Sequence, residues 1–163
     1  MIFIALALAA QLTNPGFERG LEGWQTERHR GMGIAVGGNP GYMSRQSAEG
    51  EYFVVMGWRA RNAAPRDAYA RIFQQIDARR YRGRTIRVSA RTKAPDFAHR
   101  TGSLTVTAGR AGTRTAIDAS PAWWQHEATL RVPRDARTIE VAFRSEGTGG
   151  ELAVDDVHLD VLP

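Results

Sequence analysis

Along most of this chain apolar and polar residues alternate with a period of two. In "RTIRVSARTK" Ile86, Val88 and Ala90 fall on one side, and Thr85, Arg87, Ser89 and Arg91 on the other. "SLTVTA" sets Leu104 and Val106 against Thr105 and Thr107. "WWQHEATLRV" groups Trp124, Ala128, Leu130 and Val132 opposite Gln125, Glu127, Thr129 and Arg131, and "TIEVAFR" alternates Ile139, Val141 and Phe143 with Glu140, Ala142 and Arg144. In "ARIFQQID" the set Arg71, Phe73 and Gln75 alternates with Ile72, Gln74 and Ile76. One wet and one dry face per strand is the mark of antiparallel sheets rather than of parallel strands joined by helices.

Turn chemistry punctuates these runs: "GGNPG" at 37–41, "RNAAPRD" at 61–67, "YRG" at 81–83, "AGRAGT" at 108–113, "VPRDAR" at 132–137 and "EGTGG" at 146–150. No long window carries a helical stripe. Eight or more short strands without helices predict an all-β, antiparallel β-sandwich, most simply a jelly roll. One stretch breaks the rule. "ELAVDDVHLDV" (151–161) runs into two adjacent acids, Asp155 and Asp156, and resumes alternating out of phase. An extra residue there, a β-bulge, would let Val154 and Val157 both face the core.

The chain has 163 residues, enough for one domain with a sizeable core, and no cysteine, which excludes a disulfide framework, a thiol nucleophile and cysteine-ligated zinc. The formal charge is +5, and Lys93 is the only lysine. The tightest basic clusters, "RHR" at 28–30 and "ARRYRGR" at 78–84, are sparse and interleaved with acids elsewhere. They read as solvated surface and not as a nucleic-acid footprint. The start, "MIFIALALAAQ", is apolar and contains Ala7-Leu8-Ala9, a small-x-small pattern suited to signal-peptidase cleavage. Residues 1–10 are therefore expected to be a signal peptide, or alternatively an N-terminal strand. Residues 11–163 form a single domain, secreted or periplasmic. The apolar segment is too short for stable membrane insertion.

Catalytic signatures are missing. There is no G-x-S-x-G elbow, no H-E-x-x-H and no phosphate-binding loop, and His29, His99, His126 and His158 are dispersed. The sequence therefore points away from an enzyme.

The two ends carry a resemblance. "NPGFERGLEGW" (14–24) and "ELAVDDVHL" (151–159) resemble the opening and closing strands of carbohydrate-binding-module jelly rolls of the galactose-binding-like kind. "FQQIDARRYRGRTIRVSARTKA" (73–94) and "WWQHEATLRVPRDARTIEVAFRSEGTGG" (123–150) are similar to the middle and late segments of such modules, the former in a version that precedes erythromycin-esterase-like bacterial proteins. The resemblance covers residues 12–161. It implies a structural calcium joining the first and last strands, with Glu18 and Asp155 as carboxylate ligands and a backbone carbonyl near Glu51. Without the ion, Asp155 would cap a loop amide or pair with an arginine. It also implies that Phe17 and Trp24 are core residues.

Candidate ligand contacts follow from the alternation. If the strands holding them are neighbours, Arg71, Phe73 and Gln75 share an outer face with Arg87 and Arg91, framed by Trp58 and Tyr69. That face is either a binding surface of arginine forks, an amide and aromatic rings, or an ordinary solvated sheet face. Trp123 points away from Trp124 and its core partners, and is either a stacking platform for a sugar or a side chain packed under a rim loop. The functional expectation is a monomeric, exported, non-catalytic module that binds carbohydrate, including acidic polysaccharide. The alternatives are a structural or protein-interaction sandwich and a small jelly-roll hydrolase or lyase.

Overall fold

The computed structural model describes residues 12–38, 47–58, 67–95, 100–147 and 150–163. The expected signal peptide lies outside them. The described residues form ten strands: β1 (Gln25–His29), β2 (Met32–Gly38), β3 (Tyr52–Trp58), β4 (Tyr69–Asp77), β5 (Thr85–Ala94), β6 (Arg100–Ala108), β7 (Ala111–Ile117), β8 (Ser120–Arg131), β9 (Thr138–Gly147) and β10 (Glu151–Val161). They form two five-stranded antiparallel sheets, β1-β4-β9-β6-β7 and β2-β3-β10-β5-β8. No described helix is long and apolar enough to cross a membrane.

Of the consecutive strands, only β2 with β3 and β6 with β7 share a sheet; every other connection crosses from one sheet to the other. This repeated crossing is the jelly-roll pattern read from the alternation. The β6–β7 hairpin closes between Ala108 and Ala111, and Gly109 takes a positive φ of 60°, as the first central residue of a II′ turn requires.

The inward-facing positions of both sheets make one core. Ile72, Leu104, Val141 and Phe143 come from the first sheet, and Val54, Met56, Val88 and Leu152 from the second, all fully buried. Deleting such a side chain, as in Phe143→Ala, costs about 3–5 kcal/mol. Phe17 and Trp24 are buried, with ring centroids 5.2 Å apart, and the Trp24 indole N–H donates to the Asn14 carbonyl at 3.1 Å. Gln74, inward-facing and buried, holds the entering chain. Its carbonyl accepts from Thr13 N at 2.6 Å and its amide donates to Thr13 O at 3.0 Å.

The phase break in β10 is a bulge. Asp155 pairs with Arg91 and His158 with Ser89, so β10 holds one residue more than β5 across the same interval. Asp156 takes a φ of 50°, and Val154 and Val157 are both buried in the core.

Candidate functional site

Strand register lays the outer face of the first sheet out in rows. Gln25, Phe73, Ala142, Thr105 and Arg114 form one row, and Glu27, Arg71, Arg144, Ser103 and Ala116 the next. His29, Tyr69 and Glu146 lie beyond, and Gln75 stands beside Glu140 at the other end. The floor is dense with small side chains: Ser103 and Ala142 are buried, and Phe73 is only 8% exposed.

Polar side chains are locked together above this floor. Arg71 pairs with Glu140 on one side and with Glu27 at 3.2 Å on the other, and its guanidinium lies 4.2 Å over the Phe73 ring. The Gln75 amide donates to Glu140 at 3.0 Å. Arg144 covers the Tyr69 ring at 4.0 Å and holds Glu146 at 2.6 Å, and Arg114 reaches the same carboxylate at 3.3 Å. Partial burial pushes the Glu146 carboxyl up, but the Arg144 hydrogen bond and the charges of Arg144 and Arg114 outweigh it and leave it below the usual carboxylate range. Tyr69 stacks on His29 with ring centroids 5.7 Å apart. The face thus offers guanidinium and amide donors and carboxylate acceptors, already oriented by one another, above rings that the guanidinium groups cover.

The structure divides the expected contact residues. Tyr69, Arg71, Phe73 and Gln75 share this face. Arg87 and Arg91 do not, because β4 and β5 belong to different sheets; the two arginines project from the opposite side of the sandwich. There Arg87 pairs with Asp160 at 3.4 Å. Trp58 ends β3, and its side chain lies outside the described residues.

The tryptophan pair reverses expectation. Trp123 is half-buried on the outer face of the second sheet, edge-on to Phe53 at 5.5 Å and packed with Val55 and Ala153. Trp124 is the open one, 65% exposed. It stands on the inward side of edge strand β8, near the end where β7 stops at Ile117, so the facing sheet does not cover it. The alternation gives the side on which a residue lies but not where the opposing sheet ends.

Glu18, Glu51 and Asp155 do lie around one junction, the 47–52 turn against the N-terminal loop and the β10 bulge. Asp155 has no exposed surface; one carboxylate oxygen accepts from Ala48 N at 2.8 Å and Glu49 N at 3.1 Å, the other from Asp156 N at 2.8 Å. Burial pushes its carboxyl up to about 6, against the pull of these amides. One Glu18 oxygen accepts from Glu51 N at 2.9 Å and Tyr52 N at 3.0 Å. Val157 N completes the junction by donating to Pro15 O at 3.1 Å. This donor set does not fit a calcium ion held by Glu18, Asp155 and a carbonyl at Glu51. Five N–H groups point at the two acids, and Glu51 offers its amide to Glu18. The clasp is made of backbone hydrogen bonds, the amide-capping arrangement.

Sequence reasoning missed the acids that organise the sheet face, Glu27, Glu140 and Glu146. Only Glu140 fell in a visible alternation, Glu27 lying in a strand with no apolar face and Glu146 in a stretch that reads as a turn, and the pairing of all three with Arg71 and Arg144 depends on a strand order that local pattern does not carry.

No protein-family model matches the chain, and a search of curated proteins finds no match. Solved structures do match. The carbohydrate-binding module TmCBM61, determined with β-1,4-galactotriose, superposes with a TM-score of 0.72 at 19% identity, over 94% of this chain and 99% of that one. The fold is that of carbohydrate-binding-module jelly rolls. The C-terminal family 22 module of Clostridium thermocellum Xyn10B, studied for residues of its ligand-binding cleft, gives 0.56 at 17% identity, over 90% of both chains. The enzymatically active domain of bacteriophage CBA120 tailspike protein 4 gives 0.72 at 14% identity; 94% of this chain spans 21% of that one.

Proposed function

We propose that this protein is a non-catalytic module that binds a glycan on the outer face of its first sheet. The observation that carries the reading is the preorganised patch of Tyr69, Arg71, Phe73 and Gln75 with Glu27, Glu140, Arg144 and Glu146. Sugar recognition needs rings for the apolar faces of a pyranose and fixed donors and acceptors for its hydroxyls. Cross-strand ion pairs hold Arg71 and Arg144 in place, so ordering them on binding costs little.

The charge balance favours a neutral, hydroxyl-rich glycan over the acidic polysaccharide that the arginine count suggests. Arg71, Arg114 and Arg144 are each ion-paired already, and a uronate would face Glu27, Glu140 and Glu146. The solved modules of the same fold support the sugar reading, one of them bound to a β-1,4-galactan fragment. Of the described histidines, His126 bonds Thr92, His158 bonds Asp156, and His29 stacks on Tyr69.

The apolar start and the Ala7-Leu8-Ala9 pattern support export, and the polar outer face of the first sheet suits a monomer. A glycan array with neutral and acidic chains tests the central reading. Signal is expected on neutral β-linked chains, and an array on which nothing binds would overturn it.

A further inference from the structure

One end of the sandwich gathers positive charge that the chain order conceals. The 78–84 connection between β4 and β5, the 132–137 connection between β8 and β9 and the tip of the β6–β7 hairpin all lie at this end, because Asp77 pairs with Thr138, Thr85 with Arg131 and Ala108 with Ile139. "ARRYRGR" thereby meets "RVPRDAR", and Arg110 joins them from the hairpin. The two longer connections are bonded to each other. Gly83 N donates to Val132 O at 2.9 Å, Val132 N to Arg84 O at 2.8 Å, Ala78 N to Arg137 O at 3.0 Å and Arg82 Nε to Ala136 O at 2.7 Å.

The charge here is not neutralised from within. Arg80, Arg84, Arg110, Arg131, Arg134 and Arg137 are all exposed, and none has an acid within ion-pair distance among the described residues. Of the two acids nearest in sequence, Asp77 is held by Arg79 at 2.6 Å, which leaves only Asp135. Elsewhere the pattern is the reverse: Arg19, Arg30, Arg71, Arg87, Arg114 and Arg144 each pair with a carboxylate. Like charges crowded in this way repel, and the backbone bonds between the connections hold them together regardless. An anionic partner relieves that repulsion, and the planar guanidinium fork suits phosphate oxygens in particular.

We propose that this end docks on an anionic membrane surface, its arginines against the lipid phosphates and without insertion into the bilayer. The charges sit on the tips of three connections and spread over an end of the molecule, a shape that matches a broad layer of headgroups better than a single polymer strand. Tyr81, the only aromatic residue on these connections, is buried in the core, so no ring is offered on which a nucleic-acid base could stack. Each basic side chain close to an anionic surface strengthens attachment about fivefold, so a few suffice for reversible docking. Attached by this end, the sandwich leaves the outer face of its first sheet open, and docking is independent of glycan binding.

The test is co-sedimentation of the untagged protein with phosphatidylcholine vesicles that contain or lack phosphatidylglycerol. Binding is expected only to the anionic vesicles, and it should fall as salt is raised. The double variant Arg80→Gln/Arg134→Gln should bind about 25-fold more weakly, from about fivefold per charge. Arg28→Gln/Arg91→Gln removes the same charge from elsewhere on the surface and should bind as the wild type does. All four side chains are exposed, so both double variants should keep the wild-type Tm and report on docking alone. No binding to the anionic vesicles, equal losses in the two double variants, or tighter binding to duplex DNA or soluble polyphosphate than to the vesicles at the same ionic strength would each overturn the proposal.

Discussion

Asp155 sits without solvent contact at the point where three segments meet, and three backbone amides converge on its carboxylate. Asparagine there keeps the shape but turns an NH2 group toward N–H donors. Asp155→Asn should therefore cost about 2 kcal/mol, or about 4–8 °C in Tm, measured by chemical and thermal denaturation. A variant as stable as the wild type would mean that the amides are satisfied some other way. Gly50 belongs to the same junction. It has a φ of 65°, and a Cβ would come within 2.3 Å of the Glu18 carboxylate, so Gly50→Ala should also lower Tm, where an unconstrained turn would tolerate it. His126 supplies one pH dependence at this scale, and Asp155, its carboxyl raised to about 6, one of opposite sign. Burial holds its imidazole below the usual 6.5, partly opposed by the Asp118 charge, and its Nδ1 lies 2.9 Å from the Thr92 hydroxyl. The folded chain therefore resists protonation there, and the contribution of this group to stability falls as pH drops through the unfolded value of about 6.5. An NMR titration should show the His126 midpoint below that value. A midpoint at or above it would contradict the burial. At this scale the sequence was partly legible: Phe17 and Trp24 fell in the core as their motif implied, while the exposed tryptophan is Trp124 because strand parity says nothing about an overhanging edge.

The elements show which patterns can be read and which cannot. Strands β5, β6, β9 and the second half of β8 alternate cleanly and were legible as half-buried strands. β1 was not, because all five of its residues are exposed and "QTERH" carries no apolar face. β7 was hidden too, since "AGRAGT" reads as turn chemistry until Gly109 is seen to close a hairpin into it. The bulge in β10 was legible, because two valines on either side of paired acids cannot both be inward without an extra residue. Deleting Asp156 should restore a regular period with Val154, Val157 and Leu159 still inward, but it removes the kink in which Asp156 N reaches the Asp155 carboxylate and Val157 N reaches Pro15 O. A lower Tm with cooperative unfolding kept is expected. A deletion variant that melts like the wild type would show that the extra residue is dispensable.

On the scale of the whole molecule, strand order decides function. Local alternation put Arg71 and Arg87 on strands of the same kind but could not say that successive strands lie in opposite sheets, so a single mixed face was expected where two separate ones exist. The outer face of the first sheet gathers rings, amide, guanidinium groups and carboxylates into one paired surface; that of the second holds the Phe53–Trp123 packing and Arg87. We propose that the first of these binds a neutral glycan. Its most direct test is calorimetric titration of the highest-signal array glycan into the wild type, Tyr69→Ala and Arg87→Ala. Removing the Tyr69 ring should weaken binding about tenfold, since a lost stacking contact is worth about 1 kcal/mol or more, while Arg87→Ala on the opposite face binds as the wild type does. Equal affinity in all three proteins, or a loss confined to Arg87→Ala, would contradict it.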